Sequence, residues 1–134
     1  MWEHEHSVET DAGAGAIWGL WREVEEWPRW NADIEAIRLE REFADGGWIV
    51  MTPRGGEPVR LRLLDVRPNE GFTDQAELGE TLVRTEHLIE QAGEGRRRVT
   101  YRIRVEGPDA DQLGPAISAD FPETMAALVA LAES

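Results

Sequence analysis

The sequence predicts one α+β domain: a curved antiparallel sheet of about seven strands around a long C-terminal helix, with two short helices between the first two strands. Before residue 106, most of the chain consists of short segments in which apolar and polar residues alternate, as in strands with one wet face. Residues 109–133 instead carry apolar residues three and four positions apart, on one stripe of a helix: Leu113, Ile117, Phe121, Met125 and Leu128.

Composition limits the classes of function. A chain of 134 residues suits a single domain, which we take to cover residues 1–134. It has no cysteine, which excludes disulfide and thiol chemistry. The net charge of −13 argues against nucleic acid or an anionic membrane as partner, because both need clustered cations. With neither a membrane-spanning apolar run nor a signal peptide, we expect a cytoplasmic protein without membrane insertion. All 14 basic residues are arginine, which fits GC-rich codon usage or adaptation to high salt.

The first 30 residues predict a strand and two short helices. Residues 2–10 alternate, and Asp11 offers an N-cap for a helix that contains Ile17 and Trp21. A second helical piece runs from Val24 until Pro28 interrupts it. The tryptophans of this region fill the space between helices and sheet: Trp18, Trp21 and Trp27.

Six further strands follow, separated by turns rich in glycine and proline. The predicted ranges are 34–40, 47–52, 59–63 and onward, 72–78, 81–91 and 97–105. The last two form a hairpin around residues 92–95. Pairing Glu90 with Arg98 places Glu86 opposite Arg102 on the outer face and His87 opposite a tyrosine on the inner face. A slip of one residue would bury the charges.

Two prolines divide the C-terminal helical segment. Pro122 removes a hydrogen bond to Ser118, so we predict a bend or break near residues 118–122, with Phe121 turned toward the sheet. Ser118 and Glu123 are expected on the side opposite the apolar stripe. Pro115 could instead be the first residue of the main helix, with residues 109–113 as a separate turn.

Several segments carry a family resemblance. They are Ile17 to Asn31 (IWGLWREVEEWPRWN), the following Asp33-Ile34, the MTPRGG turn, the TEHLIE strand and the C-terminal helix with proline. Together they resemble the START-like superfamily (SRPBCC, helix-grip), and within it the bacterial polyketide cyclase/dehydrase-like proteins. The resemblance implies the strand order 1-7-6-5-4-3-2 and a cavity between the sheet and the last helix. It specifies no single activity, because the family includes aromatase/cyclases, lipid carriers and stress proteins.

The histidines do not predict a metal site. His4 and His6 share a strand face, and imidazole is the commonest metal ligand. If the last strand lies between the first and the sixth, however, His87 is about 10 Å from them, which is too far for one ion. Gly13 and Gly19 belong to no nucleotide fingerprint. We therefore predict no metal and no cofactor.

His87 and Tyr101 are the candidate catalytic residues. Both are expected on the concave face beside Thr85, where the pair could polarise a carbonyl group or move a proton during a cyclisation. Alternatively, they are core residues that hydrogen-bond to each other or to a buried water molecule. The absence of a third orienting group favours this second interpretation. Of Asp65 and Asp74, one could face the cavity, but nothing pairs them convincingly.

The leading functional prediction is a carrier or sensor that binds a small apolar or aromatic molecule. The expected ligand-binding residues are Trp30, Leu61, Leu63, Phe72, Val83, Thr85, His87, Tyr101, Ile103, Leu113, Ile117 and Phe121. The alternative is a polyketide cyclase, aromatase or dehydrase that uses His87 and Tyr101 as acid–base groups. A weaker third possibility is a partner-binding domain with a collapsed cavity. If Trp48 lies outside, it predicts a homodimer contact.

Overall fold

A computed structural model describes all 134 residues and shows one antiparallel sheet of seven strands with four helical segments. The elements are β1 (Trp2–Thr10), α1 (Ala14–Arg22), a 3-10 helix (Val24–Arg29), β2 (Ile34–Glu40), β3 (Trp48–Pro53), β4 (Val59–Arg67), β5 (Gly71–Leu78), β6 (Thr81–Gly93), β7 (Arg96–Glu106), α2 (Ala110–Ser118) and α3 (Phe121–Glu133). The strand order is β1-β7-β6-β5-β4-β3-β2. The predicted fold class and strand order are therefore confirmed.

The predicted register of β6 and β7 is confirmed. Glu86 pairs with Arg102, and their side chains form an ion pair at 3.0 Å on the outer face. Glu90 lies opposite Arg98, although the Arg98 guanidinium contacts Glu9 of β1, at 3.4 Å. Charge pairing across neighbouring strands therefore keeps this face in water, and the apolar side chains of the same strands face the core.

The facing arginines of this hairpin find separate partners. Arg84 and Arg104 are opposite each other in the register. Arg84 donates two hydrogen bonds to Gln75 of β5, at 3.1 and 2.6 Å, and Arg104 pairs with Glu3 of β1 at 3.2 Å. The two guanidinium groups are therefore drawn toward strands on opposite sides of the hairpin.

The start of α1 differs from the prediction. Gly13 is the N-cap, without a side-chain cap, whereas Asp11 accepts a hydrogen bond from Arg96 at 2.8 Å. The prediction of Asp11 as the cap was therefore wrong, because an ion pair with a distant strand takes its carboxylate. Pro28 lies inside the 3-10 helix and does not interrupt it. The three tryptophans of this region are buried as expected: Trp18, Trp21 and Trp27.

The C-terminal helical segment is two helices, with the break at residues 119–120. Pro122 lies in the first turn of α3, where no intrahelical donor is needed, and Phe121 is buried with its ring 5.5 Å from that of Tyr101. The predicted break and the orientation of Phe121 are confirmed. Neither helix, nor any other in the chain, combines the length and apolarity needed to cross a membrane.

Two details of this segment correct the predictions. Pro115 lies within α2 and does not begin a helix, because α2 already starts at Ala110. Ser118 is buried and not on a wet face, and its hydroxyl donates to the carbonyl of Gly114 at 2.9 Å. That bond satisfies the hydroxyl locally, so the residue is tolerated inside.

Trp48 lies on the outer face of β3. Its neighbour Ile49 is fully buried on the inner face, and successive strand residues point to opposite faces. The guanidinium groups of Arg60 and Arg62 cover the indole, with their central carbons 4.3 and 5.6 Å from the ring centroid. A homodimer through this surface stays a prediction.

Candidate ligand-binding cavity

The sheet, the 3-10 helix and helices α2 and α3 line a cavity of about 520 Å³ that is open to solvent on one side. Its wall consists of 23 residues, of which 14 are hydrophobic. Residues of α2 and α3 face the strands across this space, and small residues such as Ala76 and Ala116 are part of its wall.

Nine of the twelve predicted binding residues lie on the cavity wall: Trp30, Leu61, Val83, Thr85, His87, Tyr101, Leu113, Ile117 and Phe121. Leu63, Phe72 and Ile103 do not line it. These three side chains are 0–2% exposed and belong to the packed core behind the wall. Strand alternation correctly placed them on the inner face, but it does not predict whether an inner side chain reaches the cavity. Whether the nine residues bind a ligand stays a prediction.

An aromatic cluster forms one end of the cavity. The imidazole of His87 stacks on Phe72, with ring centroids 4.1 Å apart and an angle of 6° between the planes. Tyr101 meets the same imidazole edge-on at 4.5 Å. The Tyr101 hydroxyl accepts a hydrogen bond from Nε1 of Trp21 at 3.2 Å. The two predicted catalytic residues are therefore adjacent, in surroundings that are almost entirely apolar.

Asp74 extends this cluster with a carboxyl group that nothing neutralises. It lies on β5 and lines the cavity, and its Oδ2 is 3.8 Å from Nε2 of His87, which is too long for a hydrogen bond. Burial raises the pKa of Asp74 to about 7 and lowers the pKa of His87 to about 3. At neutral pH the imidazole is therefore uncharged, and the carboxyl group is close to half protonated.

Tyr101 is held in its neutral form. Burial raises the pKa of Tyr101, the hydrogen bond from Trp21 lowers it, and the negative charges of Asp74 and Asp120 raise it further. The Tyr101 hydroxyl accepts the hydrogen bond from Trp21, but it donates its own proton to no group of the protein. The phenol proton can therefore be given to a bound molecule.

A second acidic group lies where β2 begins and the two C-terminal helices meet. Asp33 and Asp120 both line the cavity, and their carboxyl groups are hydrogen-bonded. Burial, the hydrogen bond and the charge of Asp33 raise the pKa of Asp120 to about 6, so Asp120 keeps its proton at mildly acidic pH. Arg54 is the one arginine on the wall, and its Nε donates to the carbonyl of Ala32 at 3.2 Å.

Two buried nitrogen atoms on wall residues have no hydrogen-bond partner: Nε1 of Trp30 and Nδ1 of His87. Trp30 is 5% exposed and His87 is 7% exposed. Such unpaired groups are rare in folded proteins, since each one loses its bond to water. The structure contains no group of three or more His, Cys, Asp or Glu residues that could hold a metal ion, and His4 is exposed on β1.

Asp33 and Asp120 were missed as site residues, and Asp74 was considered only as one of two carboxylates that could face the cavity. Asp74 is separated by two or four positions from Phe72, Ala76 and Leu78 along β5, so all four share one face of the strand. Period-two counting would therefore have placed Asp74 on the inner face. Asp33 and Asp120 lie in connections that are remote in sequence. No periodic pattern links such positions, and only the folded chain brings them together.

Solved structures with low sequence identity share this architecture. The di-domain ARO/CYC protein BexL from the BE-7585A biosynthetic pathway matches with a TM-score of 0.78 and 18% identity, over 99% of this chain and 47% of that one. A START superfamily protein from Mycobacterium smegmatis matches with a TM-score of 0.74 and 17% identity, over 98% of this chain and 97% of that one. The chain has the START-like fold.

A START-like enzyme is among the similar structures. A norcoclaurine synthase point mutant from Thalictrum, in complex with a transition state analogue, matches with a TM-score of 0.78 and 14% identity, over 98% of this chain and 93% of that one. The chain spans about half the length of BexL, 47%. No protein-family model and no curated protein matches the sequence. At these identities the START-like likeness establishes the fold alone.

Proposed function

We propose that this START-like domain binds a small, largely apolar molecule in its cavity, as a carrier or sensor. The observation that carries the proposal is the cavity itself, about 520 Å³ with a mostly hydrophobic wall. Protein interiors are normally packed without voids of this size, because unfilled apolar space costs stability. Cavities of 300–1,000 Å³ with a few polar groups are typical of small-molecule sites.

The polar groups on the wall would orient the bound molecule. The Thr85 hydroxyl, the unpaired Nε1 of Trp30 and the Tyr101 hydroxyl provide hydrogen-bonding points among apolar side chains. A ligand that buries most of its surface and bears one or two polar atoms would satisfy them. No transition-state group is required for this role.

Filling the cavity tests the proposal. Val83 lines the wall, whereas its neighbour Leu82 points to the outer face of β6 and does not. Decanol at a hundred times its Kd should stabilise the wild type by about 2.7 kcal/mol, a rise in Tm on the order of 10 °C. Val83→Phe should remove most of this rise, and Leu82→Phe should retain it. A wild type whose Tm is unchanged by decanol, or an equal response in both variants, would reject binding in the cavity.

The second candidate is an acid–base enzyme of the cyclase or dehydrase type. It is favoured by one observation, namely that Asp74, with a pKa of about 7, lies 3.8 Å from His87. A general acid or base works best when its pKa is near the working pH, and the neutral His87 is poorly suited to supply a proton. We therefore assign proton transfer in this alternative to Asp74 and Tyr101, in place of His87 and Tyr101.

Turnover of an aromatic polyketide precursor tests the alternative. Asp74→Asn and Tyr101→Phe should each lower kcat by at least about a hundredfold, with the fold unchanged by circular dichroism. The wild-type pH–rate profile should change slope near pH 7, at the pKa of Asp74. Turnover that survives both substitutions would eliminate this function and leave the binding role in place.

A further inference from the structure

The charged groups on the cavity wall are unbalanced. Three carboxyl groups line the cavity, from Asp33, Asp74 and Asp120, but only one arginine does. That arginine, Arg54, donates to a backbone carbonyl and enters no ion pair. No arginine pairs with any of the three carboxyl groups either, although arginines elsewhere pair with glutamates across the outer face. The wall thus holds three carboxyl groups for which the protein supplies no cationic partner.

Unsatisfied polar side chains in the same wall indicate that a molecule belongs there. His87 is 7% exposed, its Nδ1 atom has no hydrogen-bond partner, and its Nε2 atom is 3.8 Å from the carboxyl group of Asp74. The indole nitrogen of Trp30, also buried, has no acceptor. Buried nitrogen atoms without a hydrogen-bond partner are rare in folded proteins. Two of them in one cavity wall indicate that a bound molecule supplies the missing partners.

We propose that the cavity selects organic cations: an apolar amine whose ammonium group lies against Asp74 and Asp120, with its apolar body along the hydrophobic wall. The proposal rests on the proposed binding function and names the class of ligand. Asp74, Tyr101 and Asp120 all line the same cavity. An ammonium group there would be the missing counter-charge, and an oxygen atom elsewhere on the ligand would accept from Trp30.

Charge complementarity disfavours the other ligand classes. A fatty acid would bring a fourth carboxylate against three, and like charges in a partly buried site repel strongly. A neutral alcohol avoids repulsion but leaves the acidic groups without a partner. The net charge of −13 adds a long-range field that draws cations toward the protein.

Three ligands of one chain length separate these classes. In calorimetric titrations at pH 8, decylamine should bind at least tenfold more tightly than decanol, and decanoate should bind most weakly. Asp74→Asn and Asp120→Asn should each reduce the preference for decylamine over decanol by about tenfold. Asp111→Asn removes an exposed carboxylate of α2 that is not on the wall, and it should keep the full preference.

The pH dependence gives an independent readout. The ionisable side chains on the wall are Asp33, Arg54, Asp74, His87, Tyr101 and Asp120. Binding of an ammonium group favours ionised carboxyls, so decylamine affinity should rise from pH 5 to pH 8 as Asp120 and Asp74 lose their protons, whose pKa values are about 6 and about 7. Decanol affinity should change little over the same range.

The outcomes separate the inference from the proposed function. Binding of decanol with no preference for decylamine would overturn the cation inference and leave the apolar cavity site standing. An amine preference that is equal in wild type, Asp74→Asn and Asp120→Asn would place the preference on the acidic surface, and would also overturn it. If none of the three ligands binds, both the inference and the proposed function fail.

Discussion

At the scale of single residues, Asp74 is a largely buried carboxylic acid without a cationic partner. Its side chain is 13% exposed, faces an apolar cavity and has no arginine partner. Burial raises its pKa from 3.8 to about 7, so the folded state holds a proton that the unfolded chain releases near pH 4. Between those values folding takes up a proton at Asp74, and stability through this group falls as the pH rises.

Replacing Asp74 by asparagine should remove this decrease in unfolding free energy with rising pH. Near pH 4 the two proteins should differ little in unfolding free energy, because Asp74 is protonated in the folded state and has only begun to ionise in the unfolded chain. The advantage of Asp74→Asn should grow by about 1.4 kcal/mol for each pH unit up to about pH 7, reaching on the order of 4 kcal/mol. Urea unfolding from pH 4 to pH 8 measures it.

His87 contributes a pH dependence of stability opposite to that of Asp74, and it does so in both wild type and Asp74→Asn. The difference between the two proteins therefore cancels it. Burial lowers the pKa of His87 from 6.5 to about 3, so its contribution to stability is present above pH 6.5 and is lost as the pH falls toward 3. Asp111→Asn, an exposed substitution, should differ from wild type by less than about 0.5 kcal/mol throughout. A constant difference between Asp74→Asn and wild type across the pH range would mean that Asp74 does not titrate there.

At the scale of secondary-structure elements, a glycine sets how closely α2 approaches β1. Gly114 is in the middle of α2, and a Cβ atom added there would overlap the indole ring of Trp2. Gly19 occupies a comparable position in α1, with nothing within 4 Å of an added Cβ. The two glycines therefore form a matched pair, with close contact at one and open space at the other.

Alanine at these two positions should have opposite effects. Gly114→Ala should lower the unfolding free energy by about 1–3 kcal/mol through overpacking, whereas Gly19→Ala should raise it by about 0.5–1 kcal/mol through helix propensity. In a Trp2→Ala background the loss at Gly114 should disappear, because the obstructing ring is gone. Chemical denaturation of the double-mutant cycle measures this, and a loss that persists without Trp2 would show that the ring is not the cause.

Elements were predictable where the sequence carries a local signal. The β6–β7 register followed from opposite charges such as Glu86 and Arg102, and the break between α2 and α3 followed from Pro122. Asp11 looked like a helix cap because its type and position fit one, but its partner is Arg96 in a distant strand. Local rules cannot choose between a local and a remote partner for the same carboxylate.

At the scale of the whole molecule, the cavity depends on contacts that no single segment encodes. The inner face of each strand was predictable, and nine of the twelve expected residues do line the wall. The depth of the cavity was not, since Phe72 and Leu63 end in packed core. The meeting of Asp33 with Asp120 was equally hidden, because it depends on how α2 and α3 sit over the sheet.

Tryptophan quenching by 10-bromodecan-1-ol tests the central claim, a ligand inside the cavity, most directly. Trp30 lies on the wall, whereas Trp48 is on the outer face under two arginines. Bromine quenches only nearby indoles, so we predict quenching that saturates at one ligand per protein. Trp30→Phe should lose a large part of it, and Trp48→Phe should retain it. Quenching that never saturates, or that falls equally in both variants, would contradict a ligand site in the cavity.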